Sequence, residues 1–198
     1  MNNAMNKDKQ WVCEDSEKGP ALKIFSVRFD HMRNPRNGER ERMVILESPD
    51  AANVVAVNDK YQILLVRQYR FGIGRYTLEL PGGMIYEGEA QEDGVRRELR
   101  EETGAVARDW HFLGKIPSNP VFQDSYIYHW LAEGVRVEVE PSLDTGEEIF
   151  LEWMDEASVY QKLLRGQFEH PHTVNALLLY FSQQKATVIV RQPKIYKS

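Results

Sequence analysis

From Leu22 to Phe29 apolar and polar residues roughly alternate, the stretch Asn34-Pro35-Arg36-Asn37-Gly38 supplies a turn, and Arg42 to Leu46 resumes the extended pattern. Side chains two positions apart share one face of a strand, so this segment reads as an exposed hairpin. A second set of strands is expected at Asn53 to Val57 and Gln62 to Gln68, joined by the polar turn Asn58-Asp59-Lys60. Tyr76 to Leu80 follows, and Pro81-Gly82-Gly83 is read as stopping it. Between Glu89 and Thr103 the period becomes helical, and Gly104 is placed to end that helix in the left-handed conformation. Further strands are predicted at Trp110 to Lys115, Tyr126 to Leu131 and Ile149 to Met154, then helices at Ala157 to Leu164 and Thr173 to Gln183. The tail Ala186 to Val190 is β-prone. With no internal repeat, the chain divides into a disordered start (1–10), an N-terminal β subdomain (11–50) and a main domain (51–198).

The helix over 89–103 carries the chemistry. At about 100° per residue, Glu102 falls about 20° and Glu98 about 60° from Val95 on the apolar Val95/Leu99 stripe, with Glu101 further round. Like charges one turn apart repel, more strongly where solvent is excluded, and a hard divalent cation removes that cost. Carboxylate oxygens are the ligands Mg²⁺ prefers, and it commonly bridges one or two of them to substrate phosphates. The plainer reading is a solvated face on which Arg96, Arg97 and Arg100 pair with neighbouring glutamates.

Composition narrows the classes. The chain has 198 residues, 42% hydrophobic, enough for a good core in one domain with a small appended subdomain. A formal charge of −5 argues against a nucleic-acid binder that works through a broad basic surface. The lone Cys13 excludes an intrachain disulfide and offers no zinc cluster, and MNNAMNKDKQ has no apolar signal region, so the expected location is cytoplasmic. No run reaches the ~18 consecutive apolar residues of a membrane span; the longest, Val54 to Val66, is broken by Asn58, Asp59, Lys60 and Gln62.

Gly83, five residues, Glu89, seven residues, then Arg97-Glu98-Leu99-Arg100-Glu101-Glu102-Thr103-Gly104 resembles the Nudix signature, whose charged and glycine positions all match. One departure is Ala105 where the family usually has a bulky aliphatic residue. The resemblance implies an α/β (α+β) fold, an α-β-α sandwich around a mixed sheet preceded by an N-terminal antiparallel hairpin or sheet. It implies the Gly82 carbonyl, Glu98 and Glu102 as metal ligands with Glu101 in the same cluster, and Mg²⁺ or Mn²⁺ as the ion. Glu89 would hold Arg97, a pairing that suits a guanidinium fork on a carboxylate.

Substrate must be sought outside the helix. Val66-Arg67-Gln68-Tyr69-Arg70 and Glu79-Leu80-Pro81-Gly82-Gly83 resemble the segments flanking the signature in ADP-ribose and other nucleotide-sugar pyrophosphatases, with Arg70 as diphosphate contact and Glu79 as a further substrate-binding residue. Pro120, fifteen residues past the signature, is placed as in the ADP-ribose subgroup, although Ser118-Asn119-Pro120-Val121-Phe122 departs from its usual Ser-Pro-Gly-Phe. The N-terminal hairpin resembles the sheet these enzymes use to form homodimers, where one subunit helps build the other's base pocket; Phe25, Arg40 and Arg42 are the candidates there. A plain structural role is the alternative for each of these outer residues.

These features point to metal-dependent hydrolysis of the pyrophosphate bond of a nucleoside diphosphate sugar, giving a nucleoside monophosphate and a sugar phosphate. The general base is expected on the acidic loop Ser142-Leu143-Asp144-Thr145-Gly146-Glu147-Glu148, Glu147 first and Glu148 second. His170 and His172 flank Pro171 before the last strong helix, where they cap it or line the pocket. Competing readings are a dinucleoside polyphosphate or nucleoside triphosphate hydrolase, which would keep the same helix, and a non-catalytic nucleotide-sugar sensor or scaffold, which would tolerate loss of the acids.

Overall fold

The computed structural model describes residues 10–143 and 146–191, with 185–191 as backbone alone. The segment read as disordered lies outside the described residues except for Gln10, as do Asp144 and Thr145 of the acidic loop. The chain forms two compact units, one of residues 10–49 with 117–126, the other of 50–116 with 127–191.

The first unit is a three-stranded antiparallel sheet in the order β1 (Val12–Ala21), β2 (Ser26–Arg33), β3 (Arg40–Glu47). The expected hairpin is its β2–β3 half, but Leu22 to Phe25 is a turn closed by Leu22 N–H on the Phe25 carbonyl (2.8 Å), so Phe25 is a turn residue. Strand β1 was not legible because VCEDSEKGPA is nearly all exposed and has no apolar face. Cross-strand polar pairs hold it instead: Arg33 on Glu14 (2.6 Å), Ser16 on Asp30 (2.7 Å) and His31 with Glu17 (2.6 Å). The 117–126 segment joins this unit through Leu46, whose N–H donates to the Phe122 carbonyl at 2.7 Å.

The second unit holds β4 (Ala51–Val57), β5 (Gln62–Arg70), β6 (Arg75–Glu79), β7 (Gly82–Met84), α1 (Gln91–Thr103), β8 (Ala105–Val106), β9 (Asp109–Pro117), β10 (Tyr126–Glu133), β11 (Arg136–Val137), β12 (Ile149–Asp155), α2 (Glu156–Leu164) and α3 (Pro171–Arg191). Its mixed seven-stranded sheet runs β12-β5-β4-β10-β9, with β6 on β5 and β7 on β4, and β10 parallel to β4. The runs Val54–Val57 of β4 and Ile63–Val66 of β5 are continuously apolar because both faces are covered there. Val55, Val57, Ile63 and Leu65 pack with Val159, Leu163, Ala176 and Leu177 of α2 and α3. Val54, Ala56 and Leu64 pack with Val95 and Leu99 of α1. That alternation is the expected α-β-α sandwich.

One expectation is corrected here. Ala186 to Val190 continues α3 rather than forming a strand; β-branched residues cost only tenths of a kcal/mol each in a helix, less than the hydrogen bonding gained by extending one already nucleated. Pro81-Gly82-Gly83 does end β6, at Glu79, and Gly82–Met84 then opens a new short strand, β7, against Ala51–Asn53 of β4. That strand depends on Gly82, at φ +153, where a Cβ would stand 2.2 Å from the Ala52 carbonyl oxygen. Strands β4 and β5 pair directly only at Ala56↔Leu64 and Val57↔Ile63. Beyond that point β6 takes over the edge of β5 and β7 the edge of β4, so Gly82 is delivered into the fork between them.

Candidate active site

Helix α1 places its carboxylates as its periodicity requires. Val95 and Leu99 are fully buried, and Glu102, on the same side, is 5% exposed; Glu98 is mostly covered and Glu101 half open. Gly104, at φ +67, ends the helix with its N–H on the Arg100 carbonyl. Glu102 Oε2 accepts the Gly82 N–H at 2.9 Å, tying the helix to the fork. Gly83 packs so close that a Cβ there would stand 2.5 Å from the Glu98 carboxyl carbon, so this glycine leaves room for the carboxylate.

Arg97 organises the other side. Its Nε and Nη2 grip Glu89 at 2.9 and 3.0 Å, Nη2 also meets the Met84 carbonyl (2.9 Å), and Nη1 reaches Glu98 (2.7 Å) and Glu101 (2.9 Å). The guanidinium lies 4.0 Å over the Tyr86 ring. Five bonds from one planar fork fix the loop before α1 against the helix, which a lysine could not reproduce.

Gly82, Glu98, Glu101, Glu102, Glu147 and Arg70 line one pocket of about 220 Å³. Burial pushes the Glu102 carboxyl up to about 8; the Gly82 N–H partly offsets this, while Glu98 and Glu147 add to it. Burial also raises Glu98, against the pull of Arg97. Among the described residues no three acidic or histidine side chains stand together as a ready-made cation cage. The carboxylates converge on one space while their oxygens are held apart on Arg97 and the Gly82 N–H. A donor set of hard oxygens, with a buried carboxylate that no cationic side chain among the described residues bonds, fits a hard divalent cation.

Arg70 sits on the pocket wall, but its Nε and Nη2 are bound by Glu79 at 2.7 and 2.6 Å. The edge that sequence reading gave to the diphosphate is therefore occupied, and among the described residues Nη1 is the nitrogen left for a ligand. Glu79 is 1% exposed and also accepts from the Thr77 hydroxyl. Burial would raise its carboxyl, yet Arg70, His170 and Thr77 together hold it below the usual carboxylate range. Its contacts make it the anchor of Arg70. Glu79→Gln should lower stability by on the order of 1–3 kcal/mol, discounted because Arg70 is partly wet, seen as a melting point several degrees lower together with a higher KM. Wild-type values for both would show that Arg70 needs no anchor.

Glu147 lines the pocket, whereas Glu148 turns to accept the Tyr76 hydroxyl. Phe25, Arg40, Arg42 and Pro120 belong to the first unit. Arg42 stacks on Phe29 at 3.5 Å, Arg40 stands 3.6 Å from Asp15, and Pro120 is exposed in a turn capped by Asn119. Sequence reading missed Gln68, Met84, Tyr86 and Ser142, which also line the pocket. Met84 and Tyr86 occupy the gap between Gly83 and Glu89 where the signature specifies nothing, so only the fold reveals them.

A model of the NUDIX domain matches residues 47–177. An ADP-ribose pyrophosphatase of Mycobacterium tuberculosis (strain ATCC 25618 / H37Rv) is 33% identical over 157 residues, covering 78% of this chain and 75% of its own. One of Bacillus subtilis (strain 168) is 34% identical over 133 residues, covering 67% and 71%. A crystal structure of an ADP compounds hydrolase superposes with a TM-score of 0.78 at 25% identity, over 90% of this chain and 96% of that one. With the glutamate helix and its arginine clamp built as described, the chain belongs to the Nudix family and is a Nudix hydrolase of the ADP-ribose pyrophosphatase subgroup.

Proposed function

We propose that this hydrolase cleaves the pyrophosphate bond of ADP-ribose or another nucleoside diphosphate sugar, with Mg²⁺ or Mn²⁺, releasing a nucleoside monophosphate and a sugar phosphate. The observation that carries this is Glu102, a carboxylate 5% exposed, facing Glu98 and Glu147 across a pocket that also holds Arg70. Gly82, Glu98, Glu101 and Glu102 would hold the ion, which when bound supplies Lewis acidity toward phosphoryl oxygens and makes water a stronger nucleophile. The names of the two bacterial relatives support ADP-ribose as the first substrate to test.

The protein's own groups divide the remaining work. Arg70, held by Glu79, offers Nη1 to the diphosphate. Glu147 takes the proton from the attacking water, while Glu148, tied to Tyr76, steadies the strand that follows. Arg97 carries no substrate contact and fixes the spacing of Glu98 and Glu101. The antiparallel sheet of the first unit, with its exposed strand β1, is the surface we assign to homodimer formation. The decisive experiment is phosphorus NMR of ADP-ribose and a panel of nucleotide sugars, incubated with protein and Mg²⁺ or Mn²⁺. AMP and ribose phosphate are the expected products from ADP-ribose. Cleavage of nucleoside triphosphates or dinucleoside polyphosphates with every nucleotide sugar left intact would overturn the proposal.

A further inference from the structure

Asn53 is a polar residue in the otherwise apolar strand Ala51–Val57, and it is buried. Its Nδ2 donates to the His172 carbonyl at 3.1 Å, and its Oδ1 stands 2.7 Å from Nδ1 of His129, its register neighbour on β10. A carbonyl only accepts, so the first bond fixes the orientation of the amide. Oδ1 then faces His129, whose proton must sit on Nδ1. His129 Nε2 is buried without a hydrogen-bond partner among the described residues. Burial, with His172 adding to it, holds the imidazole down to about 4, so the ring is neutral. One directed chain, from His129 through Asn53 to the His172 carbonyl, thus ties β10, β4 and the start of α3 together.

Gly82 lies directly on Asn53. The Val54 N–H donates to the Pro81 carbonyl at 3.0 Å and the Ile85 N–H to the Asp50 carbonyl at 2.9 Å, so the alternation of an antiparallel ladder makes Asn53 and Gly82 a non-hydrogen-bonded pair. Such a pair brings the two backbones closest, and a Cβ on Gly82 would stand 2.6 Å from Asn53 Cα. The N–H and carbonyl of Gly82 both point away from β4, and the N–H is already on Glu102. We infer that Asn53 and His129 are positioning residues that fix the Gly82 carbonyl for the divalent ion, His129 acting through Asn53. This rests on the metal-cluster reading above and deepens it. Core stability does not explain the pair, since two apolar side chains of similar shape would pack about as well and would bury no orphaned Nε2. What aliphatic side chains lack is direction. They tolerate a small slide of β4 that would carry Gly82 with it, whereas hydrogen bonds at both ends of one amide do not.

The test reads Mn²⁺ affinity of the substrate-free protein by electron paramagnetic resonance, and amide exchange at Gly82 by NMR without metal. His129→Phe removes the donor and keeps a ring in its place. It should weaken Mn²⁺ binding about tenfold, as loss of a partner behind a metal ligand does, and speed Gly82 exchange without a matching change at Leu99. His129→Asn, whose amide nitrogen falls near the Nδ1 position, should restore most of both. Val159→Ala, a cavity on the α2 side of the core, should lower the melting temperature and leave the Mn²⁺ Kd alone. Should His129→Phe not fold, His129→Leu takes its place with the same expectation. An unchanged Kd, equal quickening at Gly82 and Leu99, or the same Mn²⁺ loss in Val159→Ala would reduce the pair to ordinary packing and overturn the inference. Glu102→Gln separates the two readings. Mn²⁺ weakened there but not in the His129 variants overturns the positioning pair alone, whereas Mn²⁺ binding indifferent to Glu102 overturns the metal cluster and the pair with it.

Discussion

Glu102→Gln should lower kcat/KM for ADP-ribose roughly 10²–10³-fold, about 3–4 kcal/mol of transition-state stabilisation, while making the metal-free protein more heat-resistant. The activity loss follows from removing a charged oxygen ligand from the centre of the cluster. The gain in stability has a separate origin. Burial pushes the Glu102 carboxyl up to about 8, so folding at that pH confines a group that would be ionised in the unfolded chain. At 1.36 kcal/mol per pKa unit the cost is on the order of a few kcal/mol. A neutral amide avoids it and still offers an oxygen to the Gly82 N–H. Differential scanning fluorimetry with a chelator should show the variant melting several degrees above wild type, and adding Mg²⁺ should reverse the ranking. Full activity, or a chelated variant less stable than wild type, would remove Glu102 from the role assigned to it.

The parts of this molecule legible in the sequence are those written in a local period. Helix α1 and its carboxylates could be read because 100° per residue places Glu102 beside Val95, and the burial of both follows from that angle. The core strands β4 and β5 were legible for the same reason, as short apolar runs bounded by turn residues. Strand β1 was not, because polar pairing with β2 holds it and no apolar face marks it. The seat of His172 was hidden by distance along the chain, since Asn53 donates to its carbonyl across 119 positions. Arg70 and Glu79 were both singled out, but as two separate substrate contacts. Only the fold shows that one binds the other, which halves the guanidinium surface left for a phosphate.

Metal-free stability should fall as pH rises from about 6.5 to 8, and saturating Mg²⁺ should abolish the fall. The sign rests on two opposing sets of groups. His129 and His172 are held down to about 4 by burial, and His170 is lowered too, against an ordinary 6.5. Their contribution is fully present above 6.5 and is lost as pH drops toward 4, so stability rises with pH through that window. Glu102 works the other way. Its folded-state value is raised from 4.5 to about 8, so its contribution is complete below 4.5 and drains away as pH climbs through 8, and Glu98 is shifted in the same direction. Below 6.5 three histidines outweigh the carboxyls; above it they have finished titrating and Glu102 is left to set the slope. One extra proton bound by the folded state over about 1.5 pH units is worth about 2 kcal/mol, or roughly 4–8 °C in a chain of this size. A divalent ion replaces that proton, so the Mg²⁺-induced rise in melting temperature should grow steadily across the same interval and be nearly absent in Glu102→Gln. A magnesium effect independent of pH, or one as large in the variant, would mean that the ion is not exchanging with the Glu102 proton, and the cluster would have to be placed elsewhere.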